Sequence, residues 1–305
     1  MNSQENKMVI TQPKFSVALQ TDKMKKLIND TLGDPDRARR FVASITSAVA
    51  TNPTLQECEN NSIITGALLG EALNLSPSPV IGDYYLVPYN QKKKDENGKE
   101  YIVKVATMQI GYKGYLHLAM RSGQYKDIDV LEIKEGEFKG RNKDTGKFEF
   151  EFIQDEDLRQ QKDTIGYLGY FELLNGFTKK LYISKQEMER HADTYSKAFN
   201  LADYRKLQAG QIPEKDMWKY SSFWYKNFDQ MAFKTVLRQL ISKWGVMSIE
   251  LQEAIIKDMA VQKYNGDVDY VDNPEEIFPE AVVIKKEVEK AVQNKKITKL
   301  DEVVE

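Results

Sequence analysis

A single cysteine, Cys58, and only two histidines occur in 305 residues. One thiol excludes an intramolecular disulfide, so the expected home is a reducing cytoplasm. Three potential soft ligands, widely scattered, are too few for a structural zinc site. No apolar run approaches the roughly 20 residues of a membrane span. The start, MNSQENKMVITQPKF, is polar and lacks the apolar centre of a signal peptide. No G-x-x-x-x-G-K-[ST] stretch is present, which argues against a P-loop ATPase. Neither an internal repeat nor a convincing nucleophile–base pair is found. Excess charge is lacking too, with a formal net of −2.

What is there reads as an α+β chain. Asp34-Pro35 supplies an N-cap oxygen followed by a first-turn proline. Phe41, Ile45 and Val49 then recur at four-residue steps, predicting a helix to about Asn52. A second helix, Ser62 to Leu75, is rich in small residues and stops at SPSP; core packing and contact with a neighbouring subunit both suit it. YYLVPY and YIVKVATMQI flank QKKKDENGKE, predicting a long β-hairpin that turns at Asn97-Gly98. Residues 111–123 read as a helix, and strands follow at 125–135, about 147–153, 165–175 and 178–184. Helices return at 184–198, about 220–243 and 248–264. The expected architecture is a mostly antiparallel sheet with a β-hairpin, packed helices, N-terminal helices and a flexible acidic C-terminal tail. The expected divisions are a flexible segment 1–33, a core 34–264, and an acidic linker with a partner-docking segment 265–305. Residues 280–305 suit a short amphipathic helix or order gained on a partner.

The small net charge hides a strong internal asymmetry. Residues 104–126 contain Lys104, Lys113, Arg121 and Lys126 with no carboxylate, a local +4. Residues 215–243 reach +4 again through Lys215, Lys219, Lys226, Lys234, Arg238 and Lys243 against Asp216 and Asp229. Residues 266–280 carry six acids and no base. A basic body with an acidic neck is the electrostatic footprint of a polyanion binder.

In QIGYKGYLHLAMRSGQYKD, Lys113, His117 and Arg121 fall at i, i+4 and i+8 along one helix edge. Tyr112, Leu116 and Ala119 lie opposite. Gly111 and Gly114 would leave first-turn N–H groups approachable, and such a helix start beside a lysine suits an anion. The plain alternative is a solvated basic edge. In SSFWYKNFDQMAFKTVLRQLISKWG, Lys226, Gln230, Lys234 and Arg238 stand at successive four-residue steps on a helix apolar nearly all round. Buried cations need counter-charge. Internal pairing, for instance with Asp229 or Glu250, is the alternative, but nearby acids are too few to pair every base. Tyr220, Phe223, Trp224 and Tyr225 could stack on bases, although Phe223 and Trp224 are expected in the core. Asp129, Glu132 and Lys134 fit a short acid-then-E-x-K pattern of metal-dependent nucleases, a weak signal, since E-x-K on a strand is more often just its solvated face.

Three blocks carry a resemblance: GALLGEALNLSPSPVIGDYYLVPYNQK, QIGYKGYLHLAMRSGQ and MAFKTVLRQLISKWGVMSIELQEAI. In order and spacing, from about residue 34 to 260, they resemble the RecT/Redβ family of phage single-strand annealing proteins. The resemblance implies an ATP-independent recombinase that coats single-stranded DNA, forms rings or helical filaments and pairs complementary strands. It further implies work beside a phage exonuclease, and it points to Lys104, Gln109, Tyr112, Lys113, Arg121, Lys234 and Arg238 as lining the DNA groove. With the two basic stretches, the candidate DNA-binding set adds Gly111, Lys126, Lys219, Lys226 and Gln230. A sequence-blind annealing protein should hold backbones and leave base edges free. No cofactor and no catalytic metal are expected, Mg2+ acting at most as a modulator of DNA binding. Expected partners are single-stranded DNA, the annealed duplex intermediate, further copies of the chain, and, through the C-terminal segment, an exonuclease or a host single-strand-binding protein, with no membrane. A protective single-strand binder without annealing activity is the alternative, and a nuclease the more distant one.

Overall fold

The alternation from Tyr84 onward produces the longest strands in the chain. In the computed structural model, which describes residues 13–78, 80–94, 98, 100–258, 260–262 and 268–270, β1 (Tyr84–Lys94) pairs antiparallel with β2 (Glu100–Ile110). Tyr84 stands opposite Ile110 and Lys94 opposite Glu100. At the predicted turn Gly98 has φ +77°; Asn97 lies outside the described residues. The inner half of the hairpin joins the main core through Tyr84, Leu86, Met108 and Ile110. The outer half carries its own small cluster of Val103 and Val105 with Tyr89 and Tyr101.

Before the hairpin come α1 (Phe15–Ala18), α2 (Asp22–Leu32), α3 (Pro35–Thr51) and α4 (Asn60–Ala72). Asp34 caps α3 as predicted, accepting from the Asp36 N–H at 2.8 Å. Phe41, Ile45 and Val49 are buried on its inner face. Residues 13–33 depart from the expected flexible segment. They are helical, and Phe15, Leu19 and Ile28 are buried in the core. The charged sequence of α2 concealed this, because only Ile28 marks its buried side.

After β2 runs α5 (Tyr112–Arg121), then an antiparallel sheet in the order β3-β6-β7. Its strands are β3 (Tyr125–Lys134), β6 (Thr164–Leu173) and β7 (Thr178–Ser184). Between β3 and β6 lie a two-stranded ribbon, β4 (Phe138–Arg141) with β5 (Phe148–Phe150), and α6 (Glu156–Gln160). The ribbon lies against the sheet through Phe138, stacked on Tyr182 at 4.8 Å. A capping box of Ser184 and Glu187 starts α7 (Lys185–Tyr195), and α8 (Leu201–Gln208) follows.

The expected helix 220–243 is broken at Asn227, whose φ of −137° and ψ of 54° are not helical. The break separates α9 (Phe223–Lys226) from α10 (Phe228–Trp244). Helix α10 spans the molecule's middle, packing on α5 and on β3, β6 and β7. It buries Phe228, Ala232, Val236, Leu237, Leu240 and Ile241. The last helix among the described residues, α11 (Ile249–Lys257), ends well short of the predicted 264. Short strands β8 (Ala260–Gln262) and β9 (Val268–Tyr270) pair beyond it, and β8 lies beside β2 and α4. The mixed α+β class and the antiparallel pairing agree with the sequence reading. The proposed amphipathic segment 280–305 lies outside the described residues, and among those residues no helix is long and apolar enough to cross a membrane.

Candidate nucleic-acid interface

The start of α5 is built by close approach of backbone. The Gly111 N–H donates to the Asp83 carbonyl at 2.8 Å. A Cβ on Gly111 would come within 2.4 Å of the Gly82 carbonyl oxygen, and one on Gly114 within 2.2 Å of that of Asp83. The two glycines therefore admit the 82–83 loop, with the Gly111 N–H taken up by the Asp83 carbonyl. Asp83 itself is buried; its carboxylate accepts from the Ser76 N–H at 3.0 Å and meets His117 Nδ1 at 2.5 Å.

The stripe on α10 turns inward. Lys234 is 4% exposed, and its Nζ lies 2.9 Å from Asp258 Oδ2 and 3.1 Å from Oδ1. The same carboxylate accepts from the Ile110 N–H at 2.9 Å and from the Tyr115 hydroxyl at 3.0 Å. Arg238 Nη1 stands 3.8 Å away and Nη2 donates to the Ile255 carbonyl at 3.3 Å, while its buried Nε has no hydrogen-bond partner. Burial, and next the Asp258 charge, hold the Tyr115 phenol well above its ordinary range. Sequence reasoning judged the nearby acids too few and named Asp229 or Glu250. Asp258 is the actual partner, and Asp229 instead accepts from the Tyr167 hydroxyl at 2.5 Å.

Above this buried cluster lies a small cavity of about 70 Å³. One wall comes from the hairpin and the α5 entrance: Tyr85, Gln109, Ile110, Gly111 and Tyr112. The other comes from α9 and α10: Phe223, Asn227, Gln230, Met231 and Lys234. Tyr85 and Phe223, one from each wall, touch at its edge, with ring centroids 5.6 Å apart and the planes tilted by 55°. Gln109 is buried and its amide donates to the Tyr89 hydroxyl. The structure thus gathers Gln109, Gly111, Tyr112, Gln230 and Lys234 of the candidate set at one place. Phe223, weighed as a stacking residue but expected in the core, is half-buried in the wall; Tyr85 and Asn227, also in the walls, were not among the candidates. The break at Asn227 and the alternation of β1 were the signals available for them.

The remaining candidates are distributed around the surface. Lys113 is exposed directly after Tyr112, and Lys226 directly before Asn227; neither has a carboxylate partner among the described residues. Lys104 pairs with Glu57, Lys126 with Glu172 at 2.6 Å, and Lys219 with Asp216 at 2.7 Å. Such solvent-exposed pairs exchange readily for other anions. Arg121, at the far end of α5, donates to the Leu73 and Asn74 carbonyls at 2.8 Å each. It opens on a separate cleft of about 850 Å³ that also holds Arg37, Arg40, Glu71, Asp83 and Glu250. The three acids there match the three arginines, so this cleft lacks the excess positive charge of the α5 entrance.

The E-x-K pattern resolves into a structural network. Strand alternation places Asp129 and Glu132 on opposite faces of β3. Burial opposes the Glu132 charge, but hydrogen bonds from Lys134 and Thr164 outweigh it and hold that carboxyl below its usual range. Among the described residues no group of three His, Cys, Asp or Glu side chains could hold a metal ion.

Comparison with known proteins places these features in context. The family model described as the RecT family matches residues 39–273, which include every residue of the aromatic cavity and Asp258. An uncharacterised protein, YqaK of Bacillus subtilis (strain 168), is 36% identical over 234 residues, covering 76% of this chain and 68% of YqaK. Protein RecT of Escherichia coli (strain K12) is 25% identical over 241 residues, covering 77% of this chain and 76% of that protein.

Proposed function

The chain belongs to the RecT family, a family of recombination and annealing proteins, and from that premise we propose that it is an ATP-independent single-strand DNA annealing protein. In this reading it binds DNA mainly through phosphates, assembles on it as a ring or helical filament and pairs it with a complementary strand. The observation that carries the reading is the aromatic cavity between the α5 entrance and α10, with Lys113 and Lys226 beside its two walls. Cations without carboxylate partners gain most from phosphate, since each releases a counterion from the DNA. Rings next to them offer sequence-tolerant contact with bases. Lys104, Lys126 and Lys219 join as outer contacts that exchange a surface carboxylate for phosphate. Lys234 and Arg238 serve from beneath, their charge directed to Asp258.

Neither nucleotide hydrolysis nor strand cleavage is part of this function. The protein would act in the cytoplasm of a bacterial host, beside an exonuclease and a single-strand-binding protein reached through the C-terminal segment. The test is sequential addition of two complementary oligonucleotides without ATP, following annealing rate and complex lifetime. Faster pairing and a long-lived complex with the product are expected. Tight binding of the first strand with slowed pairing would make the protein a protective binder instead, and DNA fragments that vanish with Glu132→Ala would revive a nuclease.

A further inference from the structure

Asp258 touches both walls of the aromatic cavity, although it lies 148 residues from Ile110 and 24 from Lys234 in the chain. One carboxylate accepts from the Ile110 backbone at the α5 entrance, from the Tyr115 hydroxyl one turn further, and from Lys234 on α10. Ile110 and Lys234 are themselves wall residues. Apolar and ring contacts, such as Tyr112 on Phe233 at 5.4 Å, also join α5 to α10. Those contacts are non-directional and tolerate sliding, whereas charge-assisted hydrogen bonds fix both distance and angle. The geometry points to Asp258 as the positioning residue of the DNA site: its carboxylate sets the spacing and register of the α5 entrance against α10, and Lys234 and Arg238 act through it rather than on phosphate.

The inference rests on the proposed DNA-binding function. It also explains why two cations of the basic stripe are buried: they supply the α10 end of the brace. Arg238, held 3.8 Å from Asp258 with Nε unpartnered, keeps the cluster at a surplus positive charge. In Asp258→Asn a neutral amide loses the charge-assisted link to Lys234.

The test uses the full chain and a single-stranded oligothymidylate, with affinity measured across a salt series well below the melting temperature of each variant. Four proteins are compared: wild type, Asp258→Asn, Tyr115→Phe and the double variant Asp258→Asn/Lys234→Met. Asp258→Asn should weaken binding about tenfold, and Tyr115→Phe, which removes one donor and keeps the ring, about threefold. The slope of log affinity against log salt should stay as in wild type, because no phosphate contact has been removed. The double variant should regain melting temperature, since the Lys234–Asp258 pair leaves together and the cluster returns to the single surplus charge of Arg238, but not affinity, since the bridge between the walls is still absent. Affinity that returns with melting temperature would reduce Asp258 to a stabilising residue and overturn the proposal. So would wild-type affinity in Tyr115→Phe, or tighter and more salt-steep binding in Asp258→Asn, which would make the carboxylate a mask over phosphate-binding cations. Absence of salt-dependent binding by wild type is a separate result, and it defeats the DNA-binding function itself.

Discussion

At the scale of single residues, burial separates cations of one stripe that share a sequence pattern. Lys226 and Lys234 are two four-residue steps apart in sequence but lie on either side of the break at Asn227, and one is exposed without a carboxylate partner among the described residues while the other is 4% exposed on Asp258. Lys113→Ala and Lys226→Ala should each lower the salt slope of single-strand binding by about 0.7, the share of one phosphate contact. Their melting temperatures should stay within a degree or two of wild type, as is usual for surface substitutions. Lys234→Ala should behave in the opposite way. It leaves a buried carboxylate short of its main counter-charge, so denaturant unfolding should reveal a loss of about 3–5 kcal/mol. Cys58 offers an independent probe of the same core: burial pushes its thiol up to about 12. Alkylation at pH 8 should accordingly be slow in native protein and rapid once denaturant exposes the side chain.

At the scale of elements, the corner between β3 and β4 depends on one acid. Glu137 is fully buried and accepts from Arg159 Nε at 2.7 Å, the Lys134 N–H at 2.7 Å and the Ile153 N–H at 3.2 Å. Burial opposes its charge, but these hydrogen bonds together hold the carboxyl below its ordinary value. A depressed carboxyl contributes stability that is fully present above its unfolded pKa and disappears as pH falls through the folded one. Unfolding free energy should therefore decline below about pH 4.5, the unfolded carboxylate range, and decline less in Glu137→Gln, whose loss is already present at pH 7. Elements of this size differed in how readily the sequence disclosed them. Helix α3 was legible because cap, proline and four-residue steps lie within one short stretch, and β6–β7 because Asn175-Gly176 marks its turn, Gly176 having φ +83°. Of the β4–β5 ribbon, β5 falls within the strand expected at about 147–153, whereas β4 was not legible, since four residues carry little alternation. Within the candidate site, Gln230 stood out through its place in the four-residue stripe, whereas Gln109 and Tyr112 entered only through the family resemblance. Asp258 was not, because an ion pair closed across the fold leaves no periodic trace in the chain.

At the scale of the whole molecule, the basic surface and aromatic cavity predict steep, sequence-indifferent binding. Affinity for unrelated oligonucleotides of equal length should fall together as salt rises, and a flat response would rule out phosphate contact as the main source of affinity. The position of Asp258 also sets where the chain can be shortened. A protein ending after Tyr264 should retain strand annealing in vitro, whereas one ending after Lys257 lacks the brace and should melt earlier and bind DNA poorly. The same separation of 148 residues between Ile110 and Asp258 bears on synthesis. At about 5–20 residues added per second, the ribosome needs roughly 7–30 s after making the first wall before it makes the residue that fixes it. On the proposed function, a nascent chain over that interval would have its first wall made but no closed DNA site, because the carboxylate that joins the walls is not yet part of the chain.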